Sequence, residues 1–165
     1  MRILGIDPGF AIVGYGVLDS RGNSKKAVAY GAITTPTSES FPVRLAMIDD
    51  QMTKIIREYK PDAVAVEELF FAKNVTTAIN VAHARGVILN CAVRECGHLY
   101  EYTPMQIKQG LTGYGRADKN QIQQMVKLLL GLKEIPKPDD AADALAVAIC
   151  HSQSNPILTE AFSIK

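Results

Sequence analysis

The N-terminal part of the chain alternates between apolar and polar residues with the two-residue period of β-strands. One strand-like segment, RILGID, ends at the turn residues Pro8 and Gly9, and two more, AIVGYGVLDS and KKAVAYGAITT, flank the turn RGN. Turns this short join strands that pair antiparallel. We therefore predict a three-stranded antiparallel meander at the start of the fold.

The period then lengthens to that of an α-helix. Residues 41–60 carry an apolar residue at each turn, with Pro42 in the first turn and Pro61 beyond the end. Their apolar face comprises Leu45, Ile48, Met52 and either Ile55 or Ile56. A strand (DAVAV), a helix over about residues 74–95, a strand (HLYEY) and three helical segments (PMQIKQGL, KNQIQQMVKLLLGL and DDAADALAVAI) follow. This order predicts an α/β fold with a five-stranded mixed sheet covered by helices.

The length and composition fit one globular domain, with 165 residues, 47% hydrophobic and 21% charged. We assign residues 1–152 to that domain and residues 153–165, which show no clear period, to a flexible C-terminal tail. The net charge of +1 does not indicate a polyanionic partner, although a local basic rim would suffice for one.

Cysteine usage and hydropathy bear on the compartment. Cys91, Cys96 and Cys150 have no metal-ligand spacing and leave one cysteine unpaired in any disulfide scheme. A reduced, cytoplasmic chain is therefore expected. The N-terminus carries no basic and apolar leader, and no apolar run reaches membrane-spanning length, so we expect neither a signal peptide nor a membrane contact.

Acidic residues end two of the predicted strands. Asp7 is the last residue of RILGID, and Glu67 and Glu68 follow the apolar residues 63–66. Because neighbouring residues of a strand point to opposite faces, at most one of the two glutamates can face Asp7 squarely. Ligand sites of α/β sheets gather at such strand ends.

A third source of carboxylates is the last helical segment, DDAADALAVAI. Asp140 and Asp143 are three residues apart and share a helix face, but Asp139 and Asp143 are four apart and share one equally well. The spacing does not choose between Asp139 and Asp140. Aspartates are also favoured at a helix N-terminus without any function. The prediction of a site therefore rests on the fact that two strands and one helical segment each carry acids at one end.

Carboxylates gathered in this way repel one another and need a cation to stay ionised together. Hard divalent ions such as Mg²⁺ prefer carboxylate oxygen and keep positions open for water and phosphate. Two such ions can activate a water and stabilise the leaving oxygen in phosphodiester hydrolysis. This chemistry calls for Asp and Glu rather than His or Cys.

Several segments together resemble one known family. GIDPG, GYGVLDS, VAVEELFFAKN, ARG at residues 84–86 and DDAADALAVAI are similar to the motifs of the RuvC family of Holliday junction resolvases, over residues 1 to about 152. The resemblance implies a ribonuclease H-like fold, a homodimer, and Mg²⁺-dependent nicking of four-way DNA junctions, with Mn²⁺ as a substitute metal. Val13 departs from the family, whose members often have Thr there, and touches none of the acids.

The resemblance also implies roles for individual residues. The catalytic and metal-binding acids that it implies are Asp7, Glu67, Asp140 and Asp143, with two Mg²⁺ ions per active site. It thereby decides against Glu68 and Asp139, which the strand and helix spacing left open.

Three further residues match DNA-contacting positions of the family: Phe70, Lys108 and Lys119. An exposed aromatic ring beside the acids would stack on an unpaired base, and the sequence leaves open whether Phe70 or Phe71 is the exposed one. Lys119 follows the N-cap of a predicted capping box, Asp118 with Gln121, where a cation opposes the helix macrodipole. A lysine placed against that preference suits a phosphate contact.

Two alternatives to a resolvase are considered. GIDPGFAIVGYGV also resembles the opening of actin-type and sugar-kinase-type ATPases, which need a second such domain that 165 residues cannot supply. A junction-binding module without nuclease activity would have a broken acid set, whereas the set here is complete.

The expected partners are four-way junction DNA, a second copy of the chain and, through the resemblance, a branch-migration complex of the RuvA and RuvB type. The long helix is apolar almost all round and needs cover on more than its sheet-facing side. One of its sides comprises Ile79, Ala82, Gly86 and Val93. We expect a two-fold homodimer to cover this helix, because a four-way junction has approximate two-fold symmetry.

Overall fold

The computed structural model of the chain describes residues 1–69 and 75–154. Its strands are β1 (Arg2–Asp7), β2 (Ile12–Arg21), β3 (Ser24–Thr34), β4 (Ala63–Glu67) and β5 (Leu99–Tyr102). Its helices are α1 (Phe41–Tyr59), α2 (Val75–Glu95), α3 (Pro104–Thr112), α4 (Lys119–Leu129) and α5 (Asp139–Gln153). The predicted order of elements is confirmed, and the predicted tail lies almost wholly outside the described residues.

The five strands form one mixed sheet in the order β3-β2-β1-β4-β5. β1 pairs antiparallel with β2, and β2 pairs antiparallel with β3, as the short turns predict. β4 lies parallel to β1, and β5 lies parallel to β4, because the connecting helices return the chain to the same end of the sheet. The carboxyl ends of β1 and β4 are therefore neighbours.

Helices cover both faces of the sheet. α1 and α2 pack on one face around Ile48, Met52 and Ile88, and α3, α4 and α5 pack on the other. In α1, Ile56 rather than Ile55 completes the buried face. Among the helices in the described part of the chain, none combines the length and the apolar character that a membrane crossing requires.

Helix α5 lies at the centre of its layer, between the sheet and the helices α3 and α4. Its residues from Ala144 to His151 are all buried. Glycines of β1 and β2 make this close packing possible, since a Cβ at Gly5 would overlap the backbone of Ala144 and one at Gly14 would overlap the backbone of Asp140. The glycines therefore fix how α5 sits on the sheet.

The predicted capping box at the start of α4 is confirmed. Asp118 accepts a hydrogen bond from the backbone N–H of Gln121 at 2.9 Å, and the Gln121 side chain accepts one from the Asp118 N–H at 2.8 Å. Helix α3 begins with an equivalent box. The box fixes the first turn of α4 and with it the position of Lys119, the first residue of this helix.

Candidate active site

Asp7 and Glu67 lie side by side at the carboxyl ends of two parallel strands. Gly5 of β1 is paired with Ala65 of β4. Because side chains alternate between the two faces of a strand, Asp7 and Glu67, two residues further along, point to the same face as Gly5 and Ala65. That face is the one covered by α5. Glu68 follows on the opposite side, and its charge acts there on Arg85 of α2.

The other two acids come from the first turns of α5. Gly14 is the antiparallel partner of Asp7, and the same glycine lies against the backbone of Asp140. Asp140 is thereby placed beside Asp7, and Asp143 follows one turn later on the same side of the helix. The structure thus brings together the four acids that the sequence predicts for the site.

Asp139 has a different environment from Asp140, although the two are adjacent. The Lys137 ammonium donates a hydrogen bond to Asp139 at 2.9 Å, and this contact lowers the pKa of its carboxyl group. The negative charge of Asp140, in contrast, acts on Asp7. The geometry therefore separates two aspartates that the helical spacing left equivalent.

Burial and mutual repulsion shift Asp7, Glu67 and Asp143 towards their protonated forms. Burial, followed by the charges of Glu67, Asp143 and Asp140, raises the pKa of Asp7 to about 8. Burial and the charge of Asp143 raise the pKa of Glu67 to about 7, and burial also raises the pKa of Asp143. Four ionised carboxylates are thus unfavourable here unless a cation joins them.

Two lysines supply positive charge at the edge of the acidic cluster. Lys108 and Lys119 line a cavity of about 190 Å³ together with Glu67 and Asp143. The Lys119 ammonium lies 3.1 Å from Oδ2 of Asp143 and 3.7 Å from Oδ2 of Asp139. The lysines predicted to contact DNA therefore lie directly beside the predicted catalytic acids.

The donor set suits a hard divalent cation, since it consists of carboxylate oxygens, and burial raises the pKa of two of these groups, Asp7 and Glu67. Within residues 1–69 and 75–154, however, no three Asp, Glu, His or Cys side chains are already arranged to hold a metal ion. A metal ion would have to draw the carboxylates together.

Three residues outside the acidic cluster also bear on the predicted site: Phe70, Arg85 and Gly14. Phe70, predicted to contact DNA, lies outside the described residues. Arg85, which sits in the ARG motif, forms an ion pair with Glu101. The role of Gly14 in placing Asp140 was not predicted from the sequence pattern, although a glycine paired with the strand-terminal Asp7 was a signal for a close helix contact.

Comparisons with known proteins agree with this fold. The family model described as "Crossover junction endodeoxyribonuclease RuvC" matches residues 3–151. A protein of that name from Alkaliphilus oremlandii is 58% identical over 165 residues, covering 100% of both chains. The structure of Thermus thermophilus RuvC superimposes with a TM-score of 0.86 at 36% identity, covering 96% of this chain and 98% of the other.

A second solved structure contains DNA. It is T. thermophilus RuvC in complex with Holliday junction substrate, with a TM-score of 0.83 and 35% identity, covering 92% of this chain and 93% of that chain. The ribonuclease H-like fold that the sequence motifs implied is thus confirmed. The chain belongs to the RuvC family of crossover junction endodeoxyribonucleases.

Proposed function

We propose that this chain is an endonuclease that resolves four-way DNA junctions by paired, symmetric nicks during recombination and repair. The observation that carries the proposal is the meeting of Asp7, Glu67, Asp140 and Asp143 from three elements at one end of the sheet. The relative that was solved with Holliday junction substrate has the same fold over nearly the whole chain. Members of this family use divalent metal.

The four acids act as metal ligands in the proposed mechanism. Asp7, Glu67, Asp140 and Asp143 would hold two Mg²⁺ ions, which would supply activation of a water and stabilisation of the leaving oxygen of the phosphodiester, and Mn²⁺ is expected to substitute for them. The backbones of the four acids are held in place by β1, β4 and the buried helix α5, so only the carboxylate side chains have to move together when ions and substrate bind. The raised pKa values of Asp7 and Glu67 mean that metal must compete with protons for these two groups.

DNA is positioned by groups around the acids. Lys108 and Lys119 open onto the cavity that contains Glu67 and Asp143, where their ammonium groups can hold the phosphate next to the bond that is cleaved. Phe70 lies three residues after Glu67 in the sequence, and we propose that its ring stacks on a base at the junction centre.

A cleavage assay on a synthetic four-way junction tests the proposed function. In Mg²⁺ we expect two nicks on strands of like polarity, with ends that a ligase can join, read on a sequencing gel. A linear duplex of the same sequence is the matched substrate control and should stay intact. Tight binding of the junction without cleavage in either Mg²⁺ or Mn²⁺ would favour the junction-binding module instead.

Replacing either lysine should weaken DNA binding. We expect Lys108→Ala and Lys119→Ala each to reduce the slope of log affinity against log salt by about one counterion unit, because each variant loses one phosphate contact. Fluorescence anisotropy with a labelled junction at several salt concentrations measures this slope. Lys54→Ala, which removes an exposed lysine of α1 on the other sheet face, serves as the control. An unchanged slope in both test variants would contradict the phosphate contacts.

We further propose that the chain acts as a homodimer built on α2. In the single chain, Ile79 and Val93 of this helix are 51% and 56% exposed, and Ala82 and Gly86 between them are also exposed. Exposed apolar side chains on one helix face are typical of an interface. A two-fold dimer would present two identical acid clusters to two opposed strands of a junction.

Charge on this helix face should separate the subunits. We expect Ala82→Glu to give monomers that nick junctions poorly and no longer cut both strands within one bound complex. Light scattering gives the mass, and a supercoiled cruciform plasmid separates single from paired nicking. Leu128→Glu is the control, because Leu128 is 72% exposed on α4, on the opposite face of the sheet. A dimeric Ala82→Glu protein would contradict this interface.

Three further assignments complete the proposal. A branch-migration complex of the RuvA and RuvB type is proposed as a partner at the junction. A cytoplasmic location is proposed because Cys91, Cys96 and Cys150 are all free thiols, as in proteins of reducing compartments. We also propose that residues 1–152 form the nuclease domain.

A further inference from the structure

The Lys119 ammonium lies where the acidic cluster needs positive charge. It contacts Asp143 at 3.1 Å, and its charge lowers the pKa of both Asp7 and Glu67 against the larger effect of burial. A single cation therefore acts on acids from β1, β4 and α5. This is the electrostatic task that a bound metal ion would perform.

The position of Lys119 in α4 is unfavourable for the helix itself. The lysine is the first residue after the capping box of Asp118 and Gln121, so its charge lies at the positive end of the helix dipole. The side chain is 56% exposed and long enough to change partners without moving the backbone. Its attraction to Asp143 thus accounts for the observed contact, and the contact is easy to exchange.

The other lysines near the site make different contacts. The charge of Lys108 lowers the pKa of Glu67 against the larger effect of burial. Lys137 donates a hydrogen bond to Asp139, which lies outside the proposed ligand set. Within the part of the chain that the structure describes, Lys119 is the only basic residue that forms an ion pair with one of the four acids. No three acidic side chains in the described residues are spaced to share one metal ion.

We propose that Lys119 is a stand-in cation that occupies the acidic site of the metal-free chain and that divalent metal must displace from Asp143. The inference rests on the proposed metal site. Displacement has a free-energy cost, because the ion pair is lost and the ammonium remains close to a doubly charged ion. Lys119 therefore lowers the metal affinity of the DNA-free protein and leaves its ammonium available for a phosphate once metal is bound.

Calorimetric titration of the full chain with Mn²⁺ and with Mg²⁺, in the absence of DNA, tests this role. We expect Lys119→Met to bind each ion about tenfold more tightly than the wild type, the order expected for a unit charge repelling a divalent ion near a protein surface. Lys119→Arg keeps the charge and should bind close to the wild-type affinity. Lys137→Met is the matched control, since it removes the same charge from beside Asp139 and should change the affinity little.

Thermal unfolding gives an independent readout. Lys119→Met should unfold at a lower temperature than the wild type in chelator, because its acids have lost their cation. The difference should shrink or reverse in saturating Mg²⁺. A Lys119→Gln variant serves the same purpose if the methionine variant does not fold.

The outcomes separate this inference from the proposed function. Metal affinity that is equal or weaker in Lys119→Met than in the wild type would overturn the stand-in role, and a weaker affinity would mean that Lys119 orients Asp143 for the metal. If the wild type binds neither ion, and junction cleavage does not respond to metal, the proposed metal site and the inference both fail.

Discussion

Cleavage of four-way junctions is expected to be lost in each of the variants Asp7→Asn, Glu67→Gln, Asp140→Asn and Asp143→Asn, while junction binding remains. The rate should fall by more than about 100-fold, since even groups that only support a metal ligand contribute about 10- to 100-fold. Binding should persist, and should tighten slightly, because the phosphate contacts come from lysines and each variant removes a negative charge. Single-turnover cleavage and anisotropy in Ca²⁺ measure the two properties separately.

The neighbouring acids provide the controls for this experiment. Glu68→Gln should retain cleavage because Glu68 lies just beyond the end of β4 and its charge acts on Arg85 of α2. Asp139→Asn should retain it because Asp139 is bound to Lys137. Loss of cleavage in Asp139→Asn together with normal cleavage in Asp140→Asn would show that the assignment on α5 is wrong.

The same variants make a prediction about stability. Burial and repulsion raise the pKa of Asp7 to about 8, so its ionised form becomes a destabilising charge as pH rises above the unfolded-state pKa, and the full effect is reached above pH 8. Metal-free Asp7→Asn should therefore need more urea to unfold at that pH than the metal-free wild type. Such an exchange of stability for function is common at active sites.

A single methyl group at Gly14 is expected to abolish cleavage and to destabilise the fold. In Gly14→Ala the new Cβ would overlap the backbone carbonyl of Asp140, and α5 would have to move away from β2. Overpacking of this kind costs about 1–3 kcal/mol of unfolding free energy. The shift would also carry Asp140 away from Asp7, so activity should fall even at temperatures where the protein stays folded.

Gly31→Ala is the matched control in the adjacent strand. Its Cβ would meet Oη of Tyr15 at 3.0 Å, which is the far end of a side chain that can shift, rather than backbone. The alanine also lowers the backbone entropy of the unfolded chain, so the net change in stability should stay within about 1 kcal/mol. Urea denaturation in EDTA and junction cleavage in Mg²⁺ test both variants. Wild-type cleavage by Gly14→Ala would contradict the role of this glycine.

The sequence was informative wherever the signal was local. The two-residue and 3.6-residue periods predicted the strands and helices, and the Asp118–Gln121 spacing predicted the cap of α4. The chemical type of the acids predicted a hard-metal site. Each of these depends on the residue and its near neighbours in the chain.

The position of Asp140 beside Asp7 was decided by the tertiary structure. Helical spacing left Asp139 and Asp140 equivalent, because both can share a face with Asp143. The rotation of α5 about its axis chose between them, and that rotation follows from its contacts with Gly5 and Gly14, more than 120 residues earlier in the sequence.

The ion pair between Lys119 and Asp143 was also decided by tertiary packing rather than by the sequence pattern. The sequence placed Lys119 at the positive end of a helix dipole and predicted that it contacts a phosphate of DNA. It did not predict that the carboxylate of Asp143 lies next to this lysine. Packing of α4 on α5 supplies that carboxylate, because Asp143 emerges from α5 next to the first turn of α4. The sequence by itself determined which chemical groups this protein has, and the packing of α4 and α5 on the sheet decided which of them meet.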